Sequence, residues 1–248
     1  MSKIVLITGV AGGIGYATAQ RFKQAGWSVV GIDCVDVDVL SDVDQYIKAN
    51  LSEPQAIQDA AIQLEQKFGQ LDSLINNAAI QICKPSLEMT VTEWDQIMAV
   101  NVRSAFLLAQ ATHSLLKQTA GSIINVSSVH ALATSANIAA YATSKGALLA
   151  LTRALAIEFA ADRIRVNAVL PGAVDTDMLR SGLQRGHLSG DRLEELLTDL
   201  GRKTVMGRVG NPDEIADAIL FLAGQQASFM TGQSLIVDGG AVARLSTE

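Results

Sequence analysis

A strand, a glycine turn and a helix follow one another within the first 25 residues, and that order constrains the fold more than any other feature. Lys3-Ile4-Val5-Leu6-Ile7 is a short apolar run rich in β-branched residues, Thr8-Gly9-Val10-Ala11-Gly12-Gly13-Ile14-Gly15 is the turn, and a helical pattern continues through Ala25. Glycines permit the tight turn and remove the Cβ atoms that would keep backbone away from a pyrophosphate. The helix N-terminus adds free N–H donors and the positive end of the helix dipole, so a dinucleotide fits this arrangement. The next strand, Ser28-Val29-Val30-Gly31-Ile32, ends in Asp33, 18 residues past Gly15, where a carboxylate can accept hydrogen bonds from the adenosine ribose hydroxyls.

A second constellation carries chemistry. Tyr141 and Lys145 stand four residues apart in Tyr141-Ala142-Thr143-Ser144-Lys145, with Ser128 thirteen positions upstream. On a helix, positions i and i+4 share a face, so a lysine ammonium can lie beside the phenol and stabilise the phenolate. A free phenol titrates near ~10. A neighbouring cation and a hydroxyl donor are therefore expected to bring Tyr141 closer to neutral pH and make it an acid/base group.

Between and beyond these segments, short apolar runs alternate with longer periodic ones, the pattern of a parallel sheet covered by helices on both faces. Further strands are expected at Tyr46–Ala49, Leu71–Ile75, Ser122–Val126, Ile164–Leu170 and Ser234–Val237. Helices are expected at Pro54–Phe68, Thr92–Gln118, Tyr141–Ala160 and Asn211–Leu222. Cys34 to Ser41 reads as a loop. Asp175 to Val205 breaks the rhythm as a long connection with one short helical pattern, Asp191 to Leu200, and connections of that length are usually functional. The fold class is therefore α/β, a Rossmann-type doubly wound parallel sheet in three layers. A chain of 248 residues is expected to form it as a single domain, 1–248, with a lid at about 175–205.

Composition narrows the partners. Lys and Arg total 19 against 25 Asp and Glu, a formal charge of −6 without a basic stripe, which argues against nucleic acid. No stretch approaches the ~20 apolar residues that cross a bilayer, so a cytoplasmic protein without a membrane partner is expected. Cys34 and Cys83 lack C-x-x-C spacing and neighbouring histidines, which predicts thiols rather than a disulfide framework or a zinc site.

Taken in chain order, five motifs resemble the short-chain dehydrogenase/reductase family, and the resemblance covers nearly the whole chain. They are Thr8-Gly9-x3-Gly13-x-Gly15; Asn76-Asn77-Ala78-Ala79; Val100-Asn101-Val102; Ser128 with Tyr141 and Lys145; and Pro171-Gly172 followed by Thr176. Two positions depart from the commonest pattern. Ala79 stands where glycine is usual, and Asn50 stands where an aspartate often contacts the adenine ring, a contact that an asparagine carbonyl and amide can also make.

The resemblance implies roles for particular residues. Tyr141 is implied as the general acid/base and Ser128, rather than its neighbour Ser127, as the hydroxyl that orients the substrate oxygen. Lys145 is implied to hold the nicotinamide ribose and lower the tyrosine pKa, and Asn101 to anchor a water that relays protons. Gly9, Gly13, Ile14, Gly15, Asp33, Asn50, Leu51, Asn77, Ala78, Pro171, Gly172, Val174 and Thr176, together with Tyr141 and Lys145, are the implied cofactor-binding residues. Hydride transfer of this kind needs no metal. Asp33 would repel a 2′-phosphate, and Val10, Ala11 and Cys34 stand where NADP-binding relatives place basic residues, so NAD is expected over NADP.

The substrate stays open at this point. Gln81, Ser128, His130 and Tyr141 are expected to face it; Met178, Leu179 and Leu183 suggest partly apolar walls, while Arg180, Arg185 and His187 leave room for an anion. The leading reading is an NAD-dependent dehydrogenase of a secondary alcohol on a small polar molecule such as a sugar or hydroxy acid. The alternatives are an NADPH-dependent 3-oxoacyl-(acyl carrier protein)-type ketoreductase and a non-catalytic dinucleotide-binding regulator. The segment Gly146 to Ala156 is apolar around more of its circumference than a one-sided helix requires, and family members pair this helix across a two-fold axis; a homo-oligomer, dimer or tetramer, is expected.

Overall fold

Alternation along the strands builds a core on each side of one sheet. The computed structural model describes residues 2–37, 40–184 and 191–243. Among these, β1 (Ile4–Thr8), β2 (Ser28–Asp33), β3 (Gln45–Lys48), β4 (Ser73–Asn76), β5 (Ser122–Val126), β6 (Arg165–Pro171) and β7 (Ser234–Val237) form one parallel sheet in the order β3-β2-β1-β4-β5-β6-β7. Successive side chains of a strand point to opposite faces. Ile4 and Leu6 accordingly join one core with α2 (Pro54–Phe68), α4 (Ser104–Ala111), α5 (His113–Thr119) and α6 (Ala139–Glu158), while Val5 and Ile7 join the other with α1 (Gly13–Gln24) and α9 (Pro212–Ala223). This is the Rossmann-type fold expected from the sequence. The strand order reverses between β1 and β4, and in such sheets ligands bind outside the carboxyl ends of the strands at that point.

Most elements fall within a residue or two of their expected bounds, and two do not. The single helix expected at Thr92–Gln118 is three pieces: α3 (Val91–Met98), a π-helical turn at Ala99–Arg103 that leads into α4, and α5 after Thr112. Inserted π turns concentrate at functional positions, and this one carries Asn101, 2% exposed, inward. The connection after β6 holds two helices, α7 (Asp177–Gln184) and α8 (Asp191–Arg202), where the sequence suggests only the second. Thr176 starts α7 by accepting the Leu179 N–H at 3.3 Å, a cap signal easily overlooked because Gly182 interrupts the helical pattern.

The outer face of α6 stays apolar in the single chain. Ala150, Ala154 and Ile157 are exposed there, Ile157 at 78%, and Phe106 of α4 is exposed at 44%. Among the described residues no helix is long and apolar enough to cross a membrane, and no group of three or more His, Cys, Asp or Glu could hold a metal ion.

Candidate active site

The glycine turn adopts a shape open only to glycine at two points. Gly9 sits at φ +67°, and a Cβ on Gly15 would lie 1.9 Å from the Gly9 carbonyl oxygen. The turn is fastened from β4: Asn77 donates from Nδ2 to the Thr8 and Gly9 carbonyls at 2.9 and 3.1 Å. Thr8 Oγ1 accepts the N–H groups of Asn77 and Ala78, both at 3.0 Å, and donates to Ile75 O. Asn77 therefore holds the turn instead of offering its amide to a ligand, and Thr8, which the sequence gives only as the first letter of a motif, is the hub. Gly12 caps α1 without a side-chain bond, and its first turn carries no acid, so the helix N–H groups have no carboxylate competing for a phosphate. The residues present fit a dinucleotide.

The remaining cofactor candidates lie along the same carboxyl edge. Asp33 ends β2 and turns toward the glycine turn, accepting the Ala11 N–H at 3.0 Å and the Cys34 N–H at 2.7 Å. Asn50 is exposed, but its Oδ1 accepts from the Ser52 N–H at 3.1 Å and hydroxyl at 2.9 Å; only its amide N–H groups are left for an adenine edge, not the carbonyl expected from the sequence. Leu51 and Val174 bury their side chains in the two cores, which leaves main-chain groups as their contribution. Pro171 closes β6, and Gly172 is packed so tightly that a Cβ would lie 2.8 Å from the Asp238 Cα. Thr176 reaches back to the glycine turn, 3.2 Å from where a Gly13 Cβ would stand, and Ile14 packs against the α1/α9 core.

Tyr141, Lys145 and Ser128 converge beside this edge, all nearly solvent-free at 8%, 2% and 6% exposure. Ser128 hydrogen-bonds the Tyr141 phenol, whereas the Ser127 hydroxyl points away and donates to the Lys145 carbonyl at 2.8 Å. That separates two adjacent serines that sequence alone leaves to analogy. Lys145 donates from Nζ to the Val126 carbonyl at 2.8 Å and sits 5.5 Å from the Tyr141 ring centroid.

One electrostatic expectation needs correcting. Burial pushes the Tyr141 phenol up to about 12, the Ser128 hydrogen bond opposing it, and burial holds the Lys145 ammonium down at about 7. Desolvation disfavours both charged forms at once. The lysine therefore carries little charge with which to lower the tyrosine in this geometry.

Asn101 grips the strand-β4 exit. Its Oδ1 accepts the Ile80 N–H at 2.8 Å, and its Nδ2 donates to the Ile80 carbonyl and to Ser144 Oγ, each at 3.0 Å. Ser144 Oγ in turn donates to the Tyr141 carbonyl at 2.7 Å. With both amide hydrogens bound, Asn101 is a positioning residue by its side chain, not the free water anchor that the resemblance implies.

The substrate candidates meet the same centre. The His130 and Tyr141 rings pack edge to face with centroids 6.1 Å apart, and His130 Nδ1 lies 3.3 Å from Thr134 Oγ1. Gln81 lies beneath α7, its Oε1 3.6 Å from where a Gly182 Cβ would stand. Cys83, which sequence spacing places in no site, is close enough to Tyr141 for a charge on its sulfur to raise the phenol. Cys34 and Cys83 are both thiols rather than a disulfide pair. Arg180, expected to leave room for an anion, is instead fixed by Asp175 at 2.7 and 2.9 Å and by Glu194 at 3.0 Å. Arg185 and His187 lie outside the described residues.

Comparison with known proteins agrees with this geometry. Residues 9–242 match the family profile described as Enoyl-(Acyl carrier protein) reductase. The chain is 35% identical to a 3-oxoacyl-(acyl-carrier-protein) reductase of Thermotoga maritima, covering 97% of this chain and 98% of the relative. It is 30% identical to a meso-2,3-butanediol dehydrogenase of Serratia marcescens, over 98% and 95% of the two chains. The ligand-free structure of an aldohexose dehydrogenase from Thermoplasma acidophilum superimposes with a TM-score of 0.94 at 32% identity, covering 99% of this chain and 96% of that one.

Proposed function

The chain belongs to the short-chain dehydrogenase/reductase family, an oxidoreductase acting on CH–OH groups, and from that premise we propose that it transfers a hydride between NAD(H) and a secondary alcohol or ketone on a small polar molecule. The observation that carries the reading is the buried contact of Ser128, Tyr141 and Lys145 beside a glycine cradle that fits a dinucleotide. When bound, the cofactor supplies the hydride donor or acceptor at its nicotinamide ring, and a positive charge on that ring in the oxidised form.

The side chains supply positioning and proton transfer. Tyr141 takes the alcohol proton in oxidation and returns one in reduction, and Ser128 donates to the same substrate oxygen. Lys145, with a pKa near 7, is suited to pass that proton onward from a buried site. Asn101 keeps the Ile80 backbone, and with it the wall that Gln81 continues, at a fixed distance from the Tyr141 helix.

Asp33 sets cofactor choice. A carboxylate at the end of β2 accepts ribose hydroxyls and repels a 2′-phosphate, so NAD is the preferred partner. The similarity to 3-oxoacyl-(acyl-carrier-protein) reductases favours a second reading, reduction of acyl thioesters with NADPH, whereas the butanediol and aldohexose dehydrogenases are named for alcohols bearing further hydroxyls. The oligomer proposed for α4 and α6 is supported by the apolar stripe they leave uncovered. A cytoplasmic location is proposed with it, in keeping with an acidic chain that lacks a spanning helix.

Fluorescence titration of NADH against NADPH on the purified protein tests the reading. Tighter NADH binding is expected, by about tenfold or more. Tighter NADPH binding would direct the search to ketones and acyl thioesters instead. Tyr141→Phe is expected to keep cofactor binding while turnover falls by about 10²–10⁴; undiminished turnover would remove Tyr141 from the mechanism.

A further inference from the structure

Three segments frame the cleft over Tyr141: residues 79–90 after β4, residues 127–138 after β5, and residues 172–184 after β6. Apart from His130, they contain two basic side chains, Lys84 and Arg180. Each is already held. Lys84 donates to Glu93 at 2.7 Å, and the same Glu93 accepts the Thr90 N–H at 2.9 Å and hydroxyl at 2.8 Å, so this cation fastens the rim to the start of α3. Arg180 clasps Asp175 through two nitrogens and Glu194 through a third, which fastens α7 to the exit of β6 and to α8. A guanidinium in that fork geometry has no spare edge facing a carboxylate substrate.

What remains near the reacting position is uncharged and able both to donate and to accept. His130 packs against the Tyr141 ring, and Thr134 binds its Nδ1, which leaves Nε2 as the nitrogen for a ligand. Burial disfavours the imidazolium there, so the ring is a neutral donor or acceptor. Gln81 adds a carboxamide under α7, which can do both at once. Hydroxyl groups match such a wall better than a carboxylate, which needs a cation, or a carbonyl, which only accepts.

We propose that the cleft selects an uncharged diol or polyol, with His130 binding a second hydroxyl close to the carbon that reacts. The inference rests on Tyr141 marking the reacting oxygen and narrows the small polar substrate proposed above to a neutral one, excluding hydroxy acids. In oxidation Tyr141 removes the proton of one hydroxyl while its carbon yields a hydride to the oxidised nicotinamide ring; the second hydroxyl, held by His130, is unchanged, and the product is a hydroxyketone or its lactone equivalent.

Three four-carbon probes that differ in one group test this without turnover. Butane-2,3-diol, butan-2-ol and 3-hydroxybutyrate are titrated into protein saturated with its reduced cofactor, a combination that cannot react, and binding is read from cofactor fluorescence. The diol is expected to bind at least tenfold more tightly than butan-2-ol, and 3-hydroxybutyrate no better than butan-2-ol. His130→Ala is expected to remove the diol preference while leaving butan-2-ol and cofactor binding unchanged, and His130→Gln to restore part of it. Preference for 3-hydroxybutyrate, an equal loss for every probe in His130→Ala, or no preference among the probes would overturn the proposal. Turnover of the diol with oxidised cofactor is assayed separately: diol binding without turnover overturns the hydride-transfer reading and leaves the binding assignment standing.

Discussion

Lys145 and Tyr141 lie face to side, the ammonium nitrogen 5.5 Å from the ring centroid, in a place where neither keeps its ordinary ionisation. Burial pushes the phenol up and the ammonium down, so a proton shared between them sits between a reluctant acid and a weak base. An unliganded site of this kind stores its acid/base capacity at a cost in stability.

That cost has a pH signature. The unfolded chain keeps a proton on Lys145 up to about 10.5, whereas the folded chain releases it near pH 7. Between those values the unfolded state holds more protons, so stability rises with pH, by at most ~1.4 kcal/mol per unit. Above pH 10 Tyr141 acts in the opposite direction, because the folded chain retains the phenol proton to about 12. Lys145→Met is expected to be more stable than the parent at pH 6, with the difference shrinking toward pH 10, and to lose turnover. Urea unfolding at pH 6, 8 and 10 checks this; a difference that stays constant with pH would show that the ammonium is not what burial opposes.

Adjacent serines should behave as opposites. Ser128→Ala removes the hydroxyl that meets the Tyr141 phenol and is expected to lower kcat by about 10²–10³ with cofactor binding intact. Ser127→Ala removes a bond to the Lys145 carbonyl and should cost ~1 kcal/mol of stability with turnover within a few-fold of the parent. Steady-state kinetics beside thermal unfolding separates the two, and a reversed pattern would exchange their roles.

Asn101 should reveal itself through substrate, not cofactor. Asn101→Ala leaves the buried N–H and carbonyl of Ile80 and the Ser144 hydroxyl without their partner, a loss of about 2–3 kcal/mol. The wall carrying Gln81 and Cys83 then loosens, so kcat/KM is expected to fall at least tenfold while NADH affinity changes by less than threefold. An equal loss in both would place Asn101 in the cofactor site instead.

How much of this was legible in the sequence follows from the range of the forces involved. The glycine turn, the apolar runs and the Tyr141/Lys145 spacing are local patterns, and they locate β1, α1 and the acid/base helix within a residue or two. The π turn at Ala99–Arg103 is not local: its reason is the Asn101 bond to Ile80, a partner 21 residues away, so the run reads as one helix until the chain is folded. The same holds for the ionisation of Lys145, which depends on burial that no spacing reveals, and for Arg180, whose charge suggests an anion site until Asp175 and Glu194 are seen on it. Thr8 and Cys83 were silent because their partners come from other strands and loops.

Arg165 offers a test of stability decoupled from the site. It enters β6 at the amino end of the sheet, opposite the carboxyl edge where the candidate residues gather, and its guanidinium donates to four carbonyls around the end of α9. Nη1 reaches Leu222 and Ala227 at 2.8 and 3.0 Å, and Nη2 reaches Ala223 and Gly224, each at 3.2 Å. A cation there answers both the orphan carbonyls and the negative end of the helix dipole. α9 packs on α1, whose N-terminus belongs to the glycine turn, yet the contact lies along the helix bodies. Arg165→Met keeps the stem and removes the donors, so a loss of about 3 kcal/mol is expected, or roughly 6–12 °C in Tm for a chain of this size. NADH affinity measured well below the transition should stay within a factor of two. If affinity falls with stability, α9 transmits strain through α1 to the turn, and the two ends of the sheet are not independent.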